Sequence, residues 1–364
     1  MEITSLRLLN FRNFDKLELN FSKNKNIIIG DNGMGKTNIV ESIFVLALTK
    51  SFRTNDDDIL LKNSSELYKI EGNIKSYFVN NYKIVYQDKI KVVKINNNKI
   101  NKLSDYISNI NVILFSINDL KLIKDTPSTR RKLINLEISQ LYNCYITYLN
   151  YYNKILKQRN MYLKSLYKKN VNYDYLEIID KQLIDYGIKI CDIRKKFIDN
   201  VNNRLSNVYS DLGGFDNLNI FYKTDYDNKN LSELIDLYKF NIDKDIALGS
   251  TQIGVHRDDF IFSCMDKEIK NFASEGQQKN AIIAFKLVEL EIFKEINNEY
   301  PILILDDLFS ELDLKKIEKI LNYINDSIQT FITTTDIKKI NKKYLKNCKI
   351  FKLTTNGIEE DLYE

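Results

Sequence analysis

The feature that most constrains this chain is a glycine-rich segment, GDNGMGKTN, at residues 30 to 38. It follows the apolar run from Asn26 to Ile29, which predicts a buried strand. Apolar residues then recur at helical spacing, at Ile39, Ile43, Leu46 and Ala47. Glycines let successive backbone N–H groups converge on one point, and the start of a helix adds partial positive charge there. A strand, a glycine-rich turn and a helix in this order are typical of a phosphate-binding loop.

Each residue of this loop is a candidate ligand of a nucleotide, which we expect to be ATP: Gly30, Asp31, Asn32, Gly33, Met34, Gly35, Lys36, Thr37 and Asn38. Lys36 is expected to reach the β- and γ-phosphates and to take part in catalysis, and the Thr37 hydroxyl to ligate Mg²⁺. The alternative is a chance glycine-rich turn, which the flanking strand and helix disfavour.

A second motif, ILILDD at residues 302 to 307, places two carboxylates at the end of an apolar run. Magnesium bound to a nucleotide needs a carboxylate on a strand beside the phosphate loop, and Asp306 is the candidate. Asp307 is the candidate catalytic residue that orients or deprotonates the attacking water. An acidic strand end that merely faces solvent is the alternative.

The 269 residues between Thr37 and Asp306 exceed what one nucleotide-binding sheet needs, which indicates an insertion. We predict an α/β head with a mixed sheet, whose N-terminal half, residues 1–115, carries an antiparallel β meander from residue 66. Apolar stripes from Thr129 to about Tyr167 and from Leu176 to Phe197 predict two helices of roughly 30 residues in an inserted helical lobe, residues 116–240. Residues 241–364 form the C-terminal half of the head. Its predicted elements are a helix at 277–295, a strand at 301–305, a helix at 314–325, and strands at 329–334 and 349–354.

Composition excludes several classes of protein. Four cysteines without a Cys-x-x-Cys pair and a single histidine disfavour a disulfide framework or a zinc site. The residues MEITSLRLLN do not have the pattern expected of a secretory signal, and the longest apolar stretch, Ile39 to Leu48, is far shorter than the roughly 20 residues of a membrane span. We therefore expect a cytoplasmic protein. The net charge of +5 permits contact with an anionic polymer without requiring it.

Two further segments carry a family resemblance. ASEGQ at residues 273 to 277 resembles the signature motif of ABC ATPases, and SELD at 310 to 313 resembles their D-loop. With the phosphate loop and the acidic strand end in the same order, the chain resembles the branch of ABC ATPases that contains the structural-maintenance and Rad50 proteins. Four segments resemble the bacterial recombination mediators of that branch: LRLLNFRNF, SFRT at 51–54, residues 114–133, and TQIGVHRDDF at 251–260.

The resemblance implies an ABC-type head in which ATP is held between two subunits. Lys36 and Asp306 would come from one subunit, and Ser274, Gly276 and Gln277 from the other. Arg12 would contact the nucleotide phosphates. ATP binding would then drive formation of a homodimer, and slow hydrolysis would release it.

The resemblance also implies a role in recombinational DNA repair, replication-fork maintenance and the SOS response. Its elements are weak ATPase activity and ATP-dependent binding to gapped or junction DNA in the nucleoid. The implied partner is RecR, and the outcome is loading of RecA. The chain departs from the family pattern at Ile117, Asn118, Asp125 and Val255. The detailed role of residues 116 to 135 therefore does not follow from the resemblance.

Two other functions are alternatives for a chain with these motifs. An ATPase subunit of a transporter would carry a switch histidine where this chain has Thr333 to Thr335. A Rad50-like tether would need a long coiled coil and a zinc hook, and the sequence shows neither.

Contact with DNA is poorly localised by the sequence. One lysine cluster comprises Lys89, Lys91, Lys94, Lys99 and Lys102, and a second comprises Lys338, Lys339, Lys342, Lys343 and Lys346. Either cluster could bind phosphates or form a solvated face. For His256-Arg257-Asp258 we favour a structural or interface role over acid–base catalysis.

Overall fold

The computed structural model describes residues 1–166, 172–214, 217–310, 312–355 and 357–363. Residue contacts divide the chain into two units, the first formed by Met1–Asp119 and Ile283–Glu364 and the second by Leu120–Ile282. In the described ranges, no helix is long and apolar enough to cross a membrane. Glu311 of the predicted D-loop lies outside the described residues, as do the side chains of Ile117 and Asn118.

The strands are β1 (Glu2–Phe11), β2 (Phe14–Asn20), β3 (Lys25–Ile29), β4 (Leu67–Lys75), β5 (Val79–Gln87), β6 (Ile90–Ile95), β7 (Asn98–Lys99), β8 (Val112–Ser116), β9 (Leu218–Lys223), β10 (Asp259–Cys264), β11 (Lys267–Glu268), β12 (Ile302–Asp306), β13 (Thr330–Thr334), β14 (Cys348–Thr354) and β15 (Gly357–Tyr363). The α-helices are α1 (Lys36–Leu48), α2 (Ser104–Ile107), α3 (Lys121–Lys124), α4 (Pro127–Leu141), α5 (Asn143–Ser165), α6 (Tyr173–Asp211), α7 (Leu231–Phe240), α8 (Ile242–Leu248), α9 (Ile269–Phe272), α10 (Glu275–Asn297) and α11 (Leu314–Tyr323).

An antiparallel sheet in the first unit has the strand order β2-β1-β4-β5-β6-β7. Apolar and polar residues alternate along β4 and β5, so that Tyr68, Ile70 and Ile84 are buried and their neighbours face the other side. The meander predicted from residue 66 is present as β4 to β7, and β1 and β2 extend it to six strands. The meander was predicted to extend to residue 115, and this part of the prediction is wrong because β8 pairs with β12 in another sheet.

The second sheet of this unit has the order β15-β14-β3-β13-β12-β8 and is parallel except for the β14–β15 hairpin. Every residue of β12 is buried, which accounts for its unbroken Ile and Leu run, since parallel sheets are covered on both faces. β13 lies between β3 and β12, so the carboxyl ends of these three strands lie side by side. The predicted strands at 301–305, 329–334 and 349–354 are confirmed to within a few residues.

Helix α1 is buried along nearly its whole length and contacts strands of both sheets. Its Leu46 carbonyl accepts a hydrogen bond from the Tyr106 hydroxyl at 2.5 Å. On β4, a Cβ atom at Gly72 would lie only 2.6 Å from Leu46 Cδ2, so glycine is needed for this approach. This packing holds the C-terminal end of α1, the helix that follows the glycine-rich loop, between the two sheets.

The second unit combines helices with the sheet β11-β10-β9. Three predictions about it need correction. Its boundaries are 120 and 282 rather than 116 and 240, and it includes strands. The stripe from Thr129 forms two helices, because Tyr142 has extended backbone angles (φ −126°, ψ 100°) between α4 and α5. α6 has 39 residues, longer than the roughly 30 predicted.

Buried arginines bind carboxylates in the core of this unit. Arg159 of α5 donates to Asp180 of α6 (2.5 Å) and to Asp245 of α8 (2.6 Å). Arg194 of α6 donates to Asp258 at 2.6 Å. Burial raises the pKa of Asp180 and of Asp258, so each arginine offsets the cost of a buried carboxylate.

The segment His256-Arg257-Asp258 belongs to this core. His256 Nδ1 lies 2.7 Å from the Tyr152 hydroxyl and Nε2 lies 3.1 Å from the Thr251 carbonyl oxygen. Asp258 also accepts from Tyr222. These contacts join α5, α6 and β9 and agree with a structural role for the segment.

Candidate nucleotide-binding site

The glycine-rich loop connects β3 to α1 in the first unit. Gly33 (φ 87°) and Gly35 (φ 102°) adopt the left-handed region that favours glycine. A Cβ atom at Gly35 would lie 2.7 Å from Asn13 Nδ2, so the loop also needs glycine there for space. No side chain caps the N-terminus of α1, which leaves its first N–H groups available to an anion.

Lys36 is buried at the base of this loop. Its Nζ donates to the carbonyl oxygens of Gly30 (2.7 Å) and Asp31 (3.0 Å). Burial lowers the pKa of Lys36, and the carboxylates of Asp307, Asp306 and Asp31 act in the opposite direction. The ammonium group thus lies inside the loop among acceptors that phosphate oxygens can replace.

The two motifs that are 269 residues apart meet at Asp306. Thr37 Oγ1 donates to Asp306 Oδ1 at 3.0 Å, and Thr333 Oγ1 donates to the same oxygen at 2.7 Å. Burial raises the pKa of Asp306, while the two hydroxyl groups lower it. The order β3-β13-β12 produces this arrangement, because Asp306 and Thr333 are register partners.

Asp307 follows directly and has a left-handed backbone (φ 50°). Its N–H donates to Thr333 Oγ1 at 2.8 Å. Its Oδ1 is buried and has no hydrogen-bond partner among the described residues. An orphaned carboxylate oxygen beside a phosphate loop fits a site that is completed by a bound group, because buried polar atoms are otherwise paired.

The oxygens of Thr37, Asp306 and Asp307 are the hard donors that Mg²⁺ prefers. In the part of the chain that the structure describes, no group of three or more His, Cys, Asp or Glu residues could form a closed metal cage. Magnesium in nucleotide sites takes one or two protein ligands and completes its shell with phosphate oxygens and water. The donor set therefore fits Mg²⁺ together with a nucleotide.

Arg12 lies near the loop but is engaged. Its Nε and NH2 donate to both carboxylate oxygens of Glu41, at 2.8 and 2.6 Å, and NH1 donates to the Ile59 carbonyl oxygen. Glu41 is fully buried on α1. Arg12 thus ties β1 to α1, and contact with phosphates would require its guanidinium to share or leave this pair.

Arg53 was not predicted as a site residue. Its NH1 donates to Asn38 Oδ1 of the loop at 2.8 Å and lies 3.4 Å from Glu41 Oε2. Its side chain is 42% exposed, so an additional anion can reach it. The only sequence signal was its place in the family-like segment SFRT.

Ser116 is a second unpredicted residue. It ends β8 and is the register partner of Asp306 on β12. Its Oγ is buried without a partner among the described residues, and its N–H donates to Asp119 Oδ2 at 2.6 Å. A hydroxyl thus stands at the strand end next to the magnesium candidate. A polar residue after the apolar run VILF was the available signal.

The segment after β12 contacts the acidic strand end. Ser310 Oγ donates to the Asp307 carbonyl oxygen at 2.7 Å, and Asp313 caps α11 by accepting from Lys316 N–H. The predicted switch position lies within residues 333–335, of which Thr333 has a hydroxyl that bridges Asp306 and Asp307. The single histidine lies in the second unit. The transporter function is therefore not favoured.

The signature segment belongs to the second unit. Ser274 Oγ accepts from Gln277 N–H (3.3 Å), and Gln277 Oε1 accepts from Ser274 N–H (2.8 Å), which forms a reciprocal cap at the start of α10. Ser274 is exposed and Gly276 half-buried. The exposed Ser274 hydroxyl is accessible to a ligand or to another protein surface.

Comparisons with known proteins agree with this geometry. The family model of the RecF/RecN/SMC N-terminal domain matches residues 2–359. Curated relatives described as DNA replication and repair protein RecF include one from Lactobacillus johnsonii, 38% identical over 98% of this chain and 99% of the relative. Another, from Clostridium kluyveri, is 40% identical over 96% of this chain and 97% of the relative.

Solved structures show the same fold. A structure of the recombination mediator protein RecF with ATP, in the RecFOR pathway, has a TM-score of 0.91 and 30% identity and covers 99% of this chain and 97% of that chain. An Smc head bound to the C-terminal winged-helix domain of ScpA has a TM-score of 0.59 at 14% identity, which shows the fold alone.

The fold and the matched family thus define the chain as an α/β ATPase of the class that includes ABC proteins and SMC heads. Within that class, the identity over nearly the full length of both chains decides the family. The chain belongs to the RecF family of DNA replication and repair proteins.

Proposed function

We propose that the chain binds ATP and Mg²⁺ at the pocket formed by the loop at residues 30–38, Asp306 and Asp307. The observation that carries this proposal is the contact of Thr37 with Asp306 beside the unpartnered Oδ1 of Asp307. Loop N–H groups and Lys36 would bind the phosphates, and Thr37 with Asp306 would hold Mg²⁺. The family and the ATP-bound structure of its relative support the choice of ATP.

Hydrolysis would be slow. Asp307 would orient or deprotonate the attacking water, and Lys36 would stabilise charge on the transferred phosphate. The Thr333 hydroxyl holds the Asp307 backbone in its left-handed conformation and so positions that carboxylate. With one orienting carboxylate and one lysine, hydrolysis would be slow enough for the ATP-bound state to persist, as a switch requires.

ATP would also join two protomers. Ser274, Gly276 and Gln277 of one protomer would bind the γ-phosphate held by the loop of the other, and Arg12 would contribute to phosphate binding. The exposed side chain of Ser274 supports this role, because its hydroxyl accepts a hydrogen bond within the cap and can donate another to a phosphate. ATP would then favour the dimer, and hydrolysis would release it.

In the cell this dimer would act as an ATP-dependent clamp on gapped or junction DNA. With RecR it would promote RecA loading during recombinational repair, replication-fork maintenance and the SOS response, in the cytoplasm at the nucleoid. Membership of the RecF family and the RecFOR pathway of the solved relative support this proposal.

The test is the mass in solution with and without ATP and Mg²⁺, then with a gapped duplex and RecR added. The wild-type chain should be a monomer without ATP and a dimer with it. Lys36→Met should remain a monomer because it removes the buried ammonium that binds the phosphates. Lys50→Met, at an exposed lysine just after α1, is the matched control and should behave as wild type.

Two outcomes would overturn the proposal. If Lys36→Met dimerises on ATP as the wild type does, the loop does not hold the nucleotide that joins the protomers. If the wild type stays monomeric under every condition, ATP does not drive assembly.

A further inference from the structure

The solvent face of the antiparallel sheet carries a row of charges across all of its strands. Directly opposite residues of antiparallel strands share a face, so the register defines the row. From β2 to β7 the successive partners are Glu18, Arg7, Glu71, Lys83, Lys94 and Lys99. The row therefore begins with alternating signs and ends with three lysines on neighbouring strands.

The first half of the row is neutralised within the chain. Arg7 binds Glu18 at 2.7 Å. Glu71 is shared by Lys69 at 2.5 Å and Lys83 at 3.4 Å. Neither carboxylate is therefore available to the lysines at the end of the row.

The last two lysines of the row, Lys94 and Lys99, are not neutralised. Lys94 lies opposite Lys83 on one side and Lys99 on the other, and neither Lys94 nor Lys99 has an ion-pair partner among the described residues. The neighbouring positions on the same face are uncharged: Val85, Val92, Asn81 and Asn96. Like charges directly opposite one another destabilise a sheet. The chain thus keeps an arrangement that costs stability, which is typical of a functional surface.

The structure also separates these lysines from the others that the sequence grouped together. Lys91 projects elsewhere and donates to Asp57 Oδ1 and the Thr49 carbonyl oxygen, both at 2.6 Å. In the C-terminal cluster, Lys339 donates to the carbonyl oxygens of Phe309 and Ser310, and Lys343 pairs with Glu318. These three lysines make contacts within the fold, whereas Lys94 and Lys99 form no ion pair with another described residue.

We propose that Lys83, Lys94 and Lys99 form a binding site for the phosphate backbone of DNA. The proposal rests on the DNA-binding function proposed above and names the surface that performs it. Strands in a sheet are about 4.8 Å apart, so the three lysines span roughly 10 Å, and their long side chains can reach successive phosphates. Asn81 and Asn96 form hydrogen bonds with each other and with neighbouring residues. Their amide groups are therefore not free to recognise bases, and the lysine ammonium groups would bind phosphates without regard to sequence.

The test compares DNA binding by the ATP-bound wild type and the double variant Lys94→Gln/Lys99→Gln over a range of salt concentrations. Each lost phosphate contact lowers the salt slope of log K by about 0.9, so the variant should lose about 1.8. Affinity near 0.1 M salt should fall about tenfold or more. Dimerisation on ATP should be unchanged, and Tm should be unchanged or higher because like charges are removed.

Lys338→Gln/Lys342→Gln is the matched control, since it removes the same charge from the other cluster. An unchanged slope in the Lys94/Lys99 variant would overturn the site, and equal losses in the two double variants would show dependence on net charge alone and also overturn it. A wild type that binds no DNA would instead refute the proposed function.

Discussion

At the scale of single residues, the role proposed for Asp307 predicts that nucleotide binding and hydrolysis can be separated. Asp307→Asn keeps the size of the side chain and the Thr333 contact to its backbone but removes the charge that accepts a proton from water. We expect ATP-driven dimerisation to persist and kcat for hydrolysis to fall by about 10²-fold or more.

Steady-state phosphate release together with mass in solution checks this prediction. Asp88→Asn, which changes an exposed carboxylate on a left-handed backbone (φ 51°) in the turn between β5 and β6, is the matched control. A variant at Asp307 with wild-type kcat would exclude this residue as the base.

His256 makes stability depend on pH in a defined direction. It is the single histidine of the chain, and burial lowers its pKa to about 4, against an ordinary value of 6.5. As the pH decreases below 6.5, His256 becomes protonated in the unfolded chain, whereas in the folded chain it stays neutral until about pH 4. The free energy of unfolding therefore decreases as the pH is lowered from 6.5 to about 4. Between pH 7.5 and 5 this contribution is about 2 kcal/mol.

His256→Gln isolates this effect because glutamine does not titrate. Urea titration at pH 7.5 and pH 5 gives the free energy of unfolding of both proteins. On going from pH 7.5 to pH 5, the wild type should lose about 2 kcal/mol more than the variant. A constant difference would show that the imidazole is not held neutral.

At the scale of elements, Arg159 connects α5 to α6 and α8. Arg159→Met would leave Asp180 and Asp245 buried without their cation, and breaking a buried pair costs about 3–5 kcal/mol. The urea midpoint of the second unit should fall accordingly. Because the chain has no tryptophan, circular dichroism is the appropriate signal.

Lys157→Met, at an exposed position on the same helix, controls for loss of one positive charge. If the two variants unfold alike, the buried network does not hold these helices together.

The sequence predicted the first unit well for a physical reason. Strands covered on both faces need unbroken apolar runs, and β3 and β12 contain them at residues 27–29 and 302–305. The phosphate loop was visible because its function needs adjacent glycines and a lysine. By contrast, no glycine or proline marks the break at Tyr142, and the apolar spacing of Ile138, Leu141 and Tyr145 continues through it.

Parts of the site could not be predicted because they depend on pairing between distant segments. Ser116 meets Asp306 only through the register of β8 with β12, and Arg53 meets Asn38 through the turn after α1. The lysine row depends on three strand pairings. Spacing along the chain contains none of this information, whereas sheet register decides it.

At the scale of the whole molecule, ATP can switch assembly only if it binds the dimer more tightly than the monomer. Moving a population from about 1% to 99% dimer needs roughly 5.5 kcal/mol of differential binding. A site whose ligands come from two protomers provides this difference, because half of its contacts exist only in the dimer.

A mixing experiment distinguishes such a shared site from two independent ones. Lys36→Met removes the loop contact, and Ser274→Arg places a bulky cation at the exposed signature cap. Neither variant alone should hydrolyse ATP as a dimer. In a mixed dimer both changes fall in one site, and the other site has the native Lys36 of one protomer and the native Ser274 of its partner. Each mixed dimer has one intact site of two, so mixing should restore ATPase activity, up to about half of the wild-type value if every protomer is in a mixed dimer. If each site belonged to a single protomer, no mixed dimer would have an intact site and mixing would restore nothing.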